Sequence, residues 1–283
     1  MDGRQYIFRA SAPDAIGIMA DIATLAAHNH FNILKSSDFA DVDTSRFYIW
    51  QTIEAPDEAG YYRFVGDMKT LATRRCIDWS IRNTTTKPRL LVMASKADHC
   101  VTDLLYRARR NKLGADIAAI VSNHETTRWH AEVNEIPFHH IPVSAETKIS
   151  AERSMLKLVN DLEADFVVLA RYMQVLSNDV SRTLEGRCIN IHHSALPSFK
   201  GARPYEQAFQ RGVKLIGATA HYVTPNLDEG PIIAQDCEPV DHLYSAQDLA
   251  EKGRDLEARV LSRAVTAHAE GRVFLNGRKT VVF

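Results

Sequence analysis

The sequence predicts an α/β protein in two parts, a ferredoxin-like N-terminal domain and a doubly wound domain with a mostly parallel sheet. Two patterns carry this reading. Over residues 1–84 short runs of strand-formers and two amphipathic helical stretches follow one another as βαββαβ. From residue 89 onward strands alternate with helices, as parallel neighbours require, since each pair needs a crossover connection.

In the first part, Arg4 to Ala10 reads as a strand, and Pro13-Asp14 turns into a helix carrying Ile18, Ile22, Leu25 and Ala26 at helical spacing. Phe31 to Phe39 and Arg46 to Ile53 are the next strands, Glu58 to Ala72 a second helix, and Cys76 to Ile81 the closing strand. Residues 85–88, polar and ending in Pro88, form a linker to the second domain at 89–283. There the strands are Arg89 to Ala94, Asp116 to Ser122, Asp165 to Ala170 and Arg187 to His192. The intervening helices are Cys100 to Arg110, Arg128 to Asn134, Lys148 to Glu163 and Ser177 to Leu184. Leu215 to Val223 and Ile232 to Val240 add two strands, and Ala246 to Ala267 is a long helix. Arg272 to Phe283 is a hairpin turning at Asn276-Gly277.

Composition narrows the function classes. The chain has 34 basic and 35 acidic residues, so no overall field recruits nucleic acid or an anionic membrane. Its apolar runs are too short to span a bilayer. The four cysteines lie far apart without a Cys-x-x-Cys pair, which fits a reducing cytoplasm. His139-His140 and His192-His193 do not form a metal ligand set, because adjacent side chains diverge on a strand; no metal or tightly bound cofactor is expected. Neither a Gly-x-Gly-x-x-Gly nor a Walker-type loop occurs.

Candidate chemistry gathers at the end of the strand Arg187 to His192. Asn190 and His192, two apart, emerge from one face, and Pro197 and Gly201 shape a loop at the strand's carboxyl end, where doubly wound sheets place their ligands. Asp228 sits in the turn-forming run Asn226-Leu227-Asp228-Glu229-Gly230-Pro231. Taken singly, the amide reads as a strand end, the imidazole as a satisfied ring and the carboxylate as a turn stabiliser.

Taken together they resemble a family. The run Asn190-Ile191-His192-His193-Ser194-Ala195-Leu196-Pro197-Ser198-Phe199-Lys200-Gly201 is followed by Gly217-Ala218-Thr219-Ala220-His221-Tyr222-Val223 and Leu227-Asp228-Glu229-Gly230-Pro231-Ile232-Ile233. In this order they resemble the formyltransferases that use 10-formyltetrahydrofolate, from near Pro88 onward. The resemblance implies a catalytic trio of Asn190, His192 and Asp228. Asn190 would donate to the formyl oxygen, His192 would carry the proton, and Asp228 would favour the charged imidazole and hold a water. It implies that Thr219 and His221 help order that water. It also implies that Arg171, Tyr172, Met173, Gln174, Val175 and Leu176 line the folate pocket, although their apolar members equally read as the packing of a helix start.

The acceptor is read elsewhere. Family members that formylate a ribonucleotide carry a glycine-rich phosphate loop after the first strand of this domain, whereas here Ser95-Lys96-Ala97-Asp98-His99-Cys100 has no glycine and an acidic residue. The N-terminal motifs Ala12-Pro13-Asp14-Ala15-Ile16-Gly17-Ile18 and His28-Asn29-His30-Phe31-Asn32-Ile33 resemble an ACT regulatory domain. An ACT domain ahead of a formyltransferase domain implies a folate hydrolase that delivers the formyl group to water and supplies formate for purine synthesis. The alternatives are transfer to an amine acceptor and a non-catalytic sensor. The ACT resemblance also implies a homo-oligomer, with Asp14, Gly17 and Asn32 as a small amino-acid site at a dimer interface or, equally, as a structural dimerisation unit.

Overall fold

The computed structural model describes residues 4–196 and 204–283. The chain divides into two compact units, one of residues 1–87, 270–276 and 281–283, the other of residues 88–269 and 277–280.

The first unit runs β1 (Arg4–Pro13), α1 (Ile18–His28), β2 (Asn32–Asp41), β3 (Arg46–Ala55), α2 (Glu58–Arg75), β4 (Asp78–Asn83). Its antiparallel sheet has the order β2-β3-β1-β4, the ferredoxin-like arrangement. Alternation on β1 places Tyr6, Phe8, Ala10 and Ala12 on the helix side. There they join Ile18 and Ile22 of α1 and Phe64, Met68 and Leu71 of α2 in one core. Phe8 meets Phe64 edge-on, with ring centroids 5.9 Å apart. The expected strand start at Cys76 shifts to Asp78, because Cys76 caps α2 in the left-handed region, φ 55°, with its N–H on the Ala72 carbonyl.

The C-terminal hairpin, β12 (Val273–Asn276) and β13 (Lys279–Val282), forms at the expected turn. The sequence placed all of it in the second domain, yet residues 270–276 and 281–283 group with the first unit. The reason is chemical. The Arg9 guanidinium donates to the Val273 carbonyl and lies over the Phe274 ring, the Trp50 indole donates to the Glu270 carbonyl, and the Asn276 amide donates to buried Asp41.

The second unit comprises β5 (Arg89–Ala94), α3 (His99–Arg109), β6 (Asp116–Ser122), α4 (Arg128–Val133), β7 (Phe138–His140), α5 (Lys148–Asp161), β8 (Phe166–Ala170), α6 (Asn178–Thr183), β9 (Cys188–His192), α7 (Pro204–Gln210), β10 (Leu215–Tyr222), β11 (Ile232–Pro239) and α8 (Ala246–Ala269). The sheet order is β11-β10-β9-β8-β5-β6-β7. The pairings from β9 through β7 are parallel, and those of β10 with β9 and β11 are antiparallel. Strand β7, only three residues long, is too short to leave an apolar period and was not expected. β5 and β8 are buried along almost their whole lengths, as strands covered on both faces must be. From β5 the chain adds β6 and β7 on one side and then crosses from β7 to β8 on the other, so the ligand crevice belongs at the carboxyl ends of β5, β8 and β9.

Gly230, two residues past Asp228, closes the turn between β10 and β11. A Cβ there would lie 1.7 Å from the Tyr222 carbonyl oxygen, so the backbone would have to move. Gly66, exposed within α2, has nothing within 4 Å of such a Cβ. Gly230→Ala should therefore lower the unfolding free energy by at least about 2 kcal/mol. Gly66→Ala should raise it by up to about 1 kcal/mol. Urea denaturation of both variants measures the contrast, and equal effects would contradict this account.

Candidate active site

Register builds the centre of the site. In the antiparallel β9–β10 pair, His221 stands opposite Asn190 and Thr219 opposite His192, so four polar side chains converge on one patch of sheet. Asp228 comes to it from the loop between β10 and β11, in the left-handed region at φ 56°, a conformation that costs a non-glycine residue about 1 kcal/mol or more. Its carboxylate lies 3.4 Å from His192 Nδ1 and 3.7 Å from His221 Nε2. The His192 imidazole, then that of His221, holds the Asp228 carboxyl well below the usual carboxylate range, so it is ionised at neutral pH.

The rings are oriented by their second nitrogens. His221 Nδ1 is 2.9 Å from the Tyr222 carbonyl, which can only accept, so the proton is on Nδ1. That leaves Nε2 to accept from the Asn190 amide at 3.3 Å. Asn190 keeps its second N–H for a ligand. Nε2 of His192, opposite the nitrogen that faces Asp228, is buried with no hydrogen-bond partner among the described residues.

Thr219 does something other than the sequence suggested. Its hydroxyl donates to the Ser194 carbonyl at 2.8 Å and accepts from the Leu196 N–H at 3.0 Å and the Gln235 amide at 2.9 Å. A hydroxyl with its donor and both lone pairs engaged cannot also order a water. Thr219 ties the chain leaving β9 to the sheet, and Gln235, which the sequence did not single out, helps it. The expected loop residues Pro197 to Gly201 lie outside the described residues.

A cavity of about 230 Å³ is lined by Arg171, Tyr172, Met173, Gln174, Val175, Asn190, His192, His193 and Asp228, with Leu169, Ile191 and Leu227 completing it. A smaller adjoining recess adds Leu176 and His221. The stretch 171–176 is thus at the pocket, but its members divide. Met173 and Val175 are 62% and 56% exposed at the mouth, whereas Tyr172 and Leu176 belong to the core with Val167 and Val180. Burial pushes the Tyr172 hydroxyl up to about 12, so it stays protonated. Arg171, also left-handed at φ 62°, turns its guanidinium inward to His193 Nδ1 at 2.7 Å and to Glu257 at 3.3 Å.

Glu257 of α8 is 1% exposed. Burial raises its carboxyl pKa, but hydrogen bonds from His99 and Tyr205 and the Arg171 charge outweigh that and bring it below the ordinary value. The distances are 2.8 Å to His99 Nε2 and 2.7 Å to the Tyr205 hydroxyl. With Cys100, His99 and Glu257 offer three potential metal ligand atoms within 4.8 Å. The guanidinium already against the carboxylate opposes a cation, and burial raises the Cys100 thiol so that it keeps its proton. The cluster reads as an ion-pair network. In the first unit, Asp14 and Asn32 are exposed, and Gly17 precedes α1 in the left-handed region at φ 91°.

The formyl transferase family matches residues 88–265. Over 98% of each chain, the sequence is 43% identical to a formyltetrahydrofolate deformylase of Corynebacterium sp. strain P-1. It is 39% identical to the Escherichia coli K12 protein of the same name, over 99% of this chain and 98% of that one. A solved formyltetrahydrofolate deformylase from Burkholderia mallei superposes with TM-score 0.94 at 44% identity over 99% of both chains. Glycinamide ribonucleotide transformylase 1 from Symbiobacterium toebii superposes with TM-score 0.66 at 28% identity, covering 70% of this chain and 94% of its own.

Replacing Thr219 with Val would leave the Leu196 N–H without its acceptor and the Gln235 amide with only the Leu196 carbonyl. The variant should lose about 1–3 kcal/mol of stability, and hydrogen exchange at the Leu196 amide should accelerate. A purely water-ordering role would leave that amide's exchange unchanged.

Proposed function

The chain belongs to the formyl transferase family, and on that premise we propose that it hydrolyses 10-formyltetrahydrofolate to formate and tetrahydrofolate. Near-complete alignment with proteins named formyltetrahydrofolate deformylase supports water as the acceptor. The observation that carries the chemistry is the His192–Asp228 pair beside Asn190 at the wall of the cavity.

The folate enters along residues 171–176, with its formyl group between Asn190 and His192. The free N–H of Asn190 donates to the formyl oxygen as the carbonyl becomes tetrahedral, stabilising the developing charge. Asp228, ionised, holds the attacking water and orients His192 through Nδ1. The C–O bond forms as the water's proton passes to His192 Nε2, and the same proton, delivered from His192 Nε2 to N10, lets the C–N10 bond break. Fixing the water in place lowers the barrier because attack then costs little further entropy. No metal ion enters this scheme.

The glycine-free loop supports the same acceptor. Asp98 faces His130 at 3.0 Å and remains half exposed, a carboxylate where a phosphate would meet repulsion. The first unit we read as an ACT-like regulatory domain within a homo-oligomer, taking a small amino acid such as glycine or methionine near Asp14, Gly17 and Asn32.

Purified protein given 10-formyltetrahydrofolate and no acceptor should release formate above the spontaneous rate; a rate equal to the blank would sink the hydrolase reading. Asp228→Asn should cut kcat by roughly 10²–10⁴-fold with an unchanged far-ultraviolet spectrum. Formate release measured with added glycine or methionine should change by at least about twofold with one of them. A flat response to both, from a protein of ordinary activity, would leave the first unit a dimerisation element.

A further inference from the structure

His193 follows His192 directly, yet the two rings do not diverge as strand neighbours would. The strand ends at His192, and the rings stack with centroids 4.8 Å apart and planes 20° from parallel. Two imidazoles so close cannot both carry a positive charge without strong repulsion. Arg171 decides which one does. A guanidinium only donates, so the nitrogen it contacts at 2.7 Å, His193 Nδ1, must offer a lone pair. While that bond stands, His193 cannot be an imidazolium, and its single proton lies on Nε2.

We propose that Arg171, anchored by Glu257, is a positioning residue that locks His193 as a neutral ring protonated on Nε2, so that a proton taken up by the stacked pair goes to His192.

Charges on every side act in this arrangement. Arg171, after β8, and His192, on β9, oppose a charge on His193, whereas Glu257 of α8 and Asp228 of the β10–β11 loop favour one. The Tyr205 ring of α7 lies 6.4 Å away and contributes burial without charge, its hydroxyl raised by burial and by Glu257. Burial, then Arg171, then His192 prevail, and His193 falls to about 4. Glu257 is part of the device because a buried guanidinium needs a counter-charge, and His99 and Tyr205 hold that carboxylate in place. The Nε2 atoms of both rings, without a hydrogen-bond partner among the described residues, are consistent with two oriented imidazoles at the cavity wall.

This rests on His192 as the proton carrier, but the two readings fail separately, since the state of His193 is observable without turnover. The experiment is nitrogen-15 and carbon-13 NMR of histidine-labelled full-length protein, with the His193 signals identified by their loss in His193→Gln. The expected result is an unprotonated Nδ1, a protonated Nε2 and no titration of His193 between pH 8 and about 5.5. A His193 protonated on Nδ1, or titrating near its ordinary value of about 6.5, overturns the proposal. Arg171→Met, or Arg171→Met with Glu257→Gln so that no buried charge is left unpaired, should let His193 titrate near neutrality. In either variant kcat should fall at least about threefold more at pH 6 than at pH 8, through repulsion between the rings. An equal loss at both pH values would show a merely structural role and also overturn it.

Discussion

Antiparallel pairing of β10 against β9, where the parallel part of the sheet ends, sets the position of the central groups in the site. Parallel strands end together and present loops at one edge; an antiparallel neighbour instead brings the middle of its own strand alongside the end of the other. That is how His221 and Thr219 come to stand opposite Asn190 and His192. The same reversal carries the chain out through the Asn226–Pro231 turn, which returns Asp228 to His192. A one-residue slip would turn these side chains to the opposite face. Thr219 guards against it from inside, with three hydrogen bonds joining β10, the chain after β9 and β11.

Beneath this frame lies a second layer of charge. Glu257 is a buried ion and Arg171 a largely buried one, each tolerable only because the other is there and because His99, Tyr205 and His193 satisfy what remains. As stabilising devices such pairs are poor compared with apolar packing. Their use here is orientation: Arg171 leaves the end of β8 in a left-handed conformation and points inward, away from solvent. The pocket wall at Met173 and Val175 is then free to remain apolar, while the polar requirement of the site is met from behind.

Much of this was legible in the residues. Period-2 and period-3.6 patterns located most strands and helices of both units, though not α7, and the long ordered motifs brought out Asn190, His192, His221 and Asp228. What was not legible has physical causes. β7 is too short to show a period, and Cys76 left the strand because a helix needed its left-handed cap. The C-terminal hairpin was assigned by chain order, whereas its partners Arg9, Asp41 and Trp50 are more than two hundred residues away. The motif around Thr219 suggests a water-ordering role, whereas in the fold its hydroxyl is saturated by Ser194, Leu196 and Gln235. Glu257 did leave a trace: it shares a helical stripe with Gly253, Val260, Leu261 and Ala264, all buried, and a lone carboxylate on an apolar stripe must have a partner. The partner itself, Arg171, could not be read from spacing.

Choosing water as acceptor places a demand on the site that an amine acceptor would not. An amine brings its own binding energy and is held by the rest of its molecule, whereas water has nothing else to be held by, so the protein must supply all of its orientation. An ionised Asp228 fixed by two histidines is suited to that task, because a carboxylate kept below its usual range does not exchange its charge as the reaction proceeds. In the proposed mechanism the proton then moves through His192 alone, and a second imidazole stacked upon it would compete unless it were denied a charge. The buried Arg171–Glu257 pair supplies that denial. The ion pair behind the pocket and the ordered water within it therefore answer the same requirement: one proton, on one nitrogen, at the moment the formyl group leaves N10.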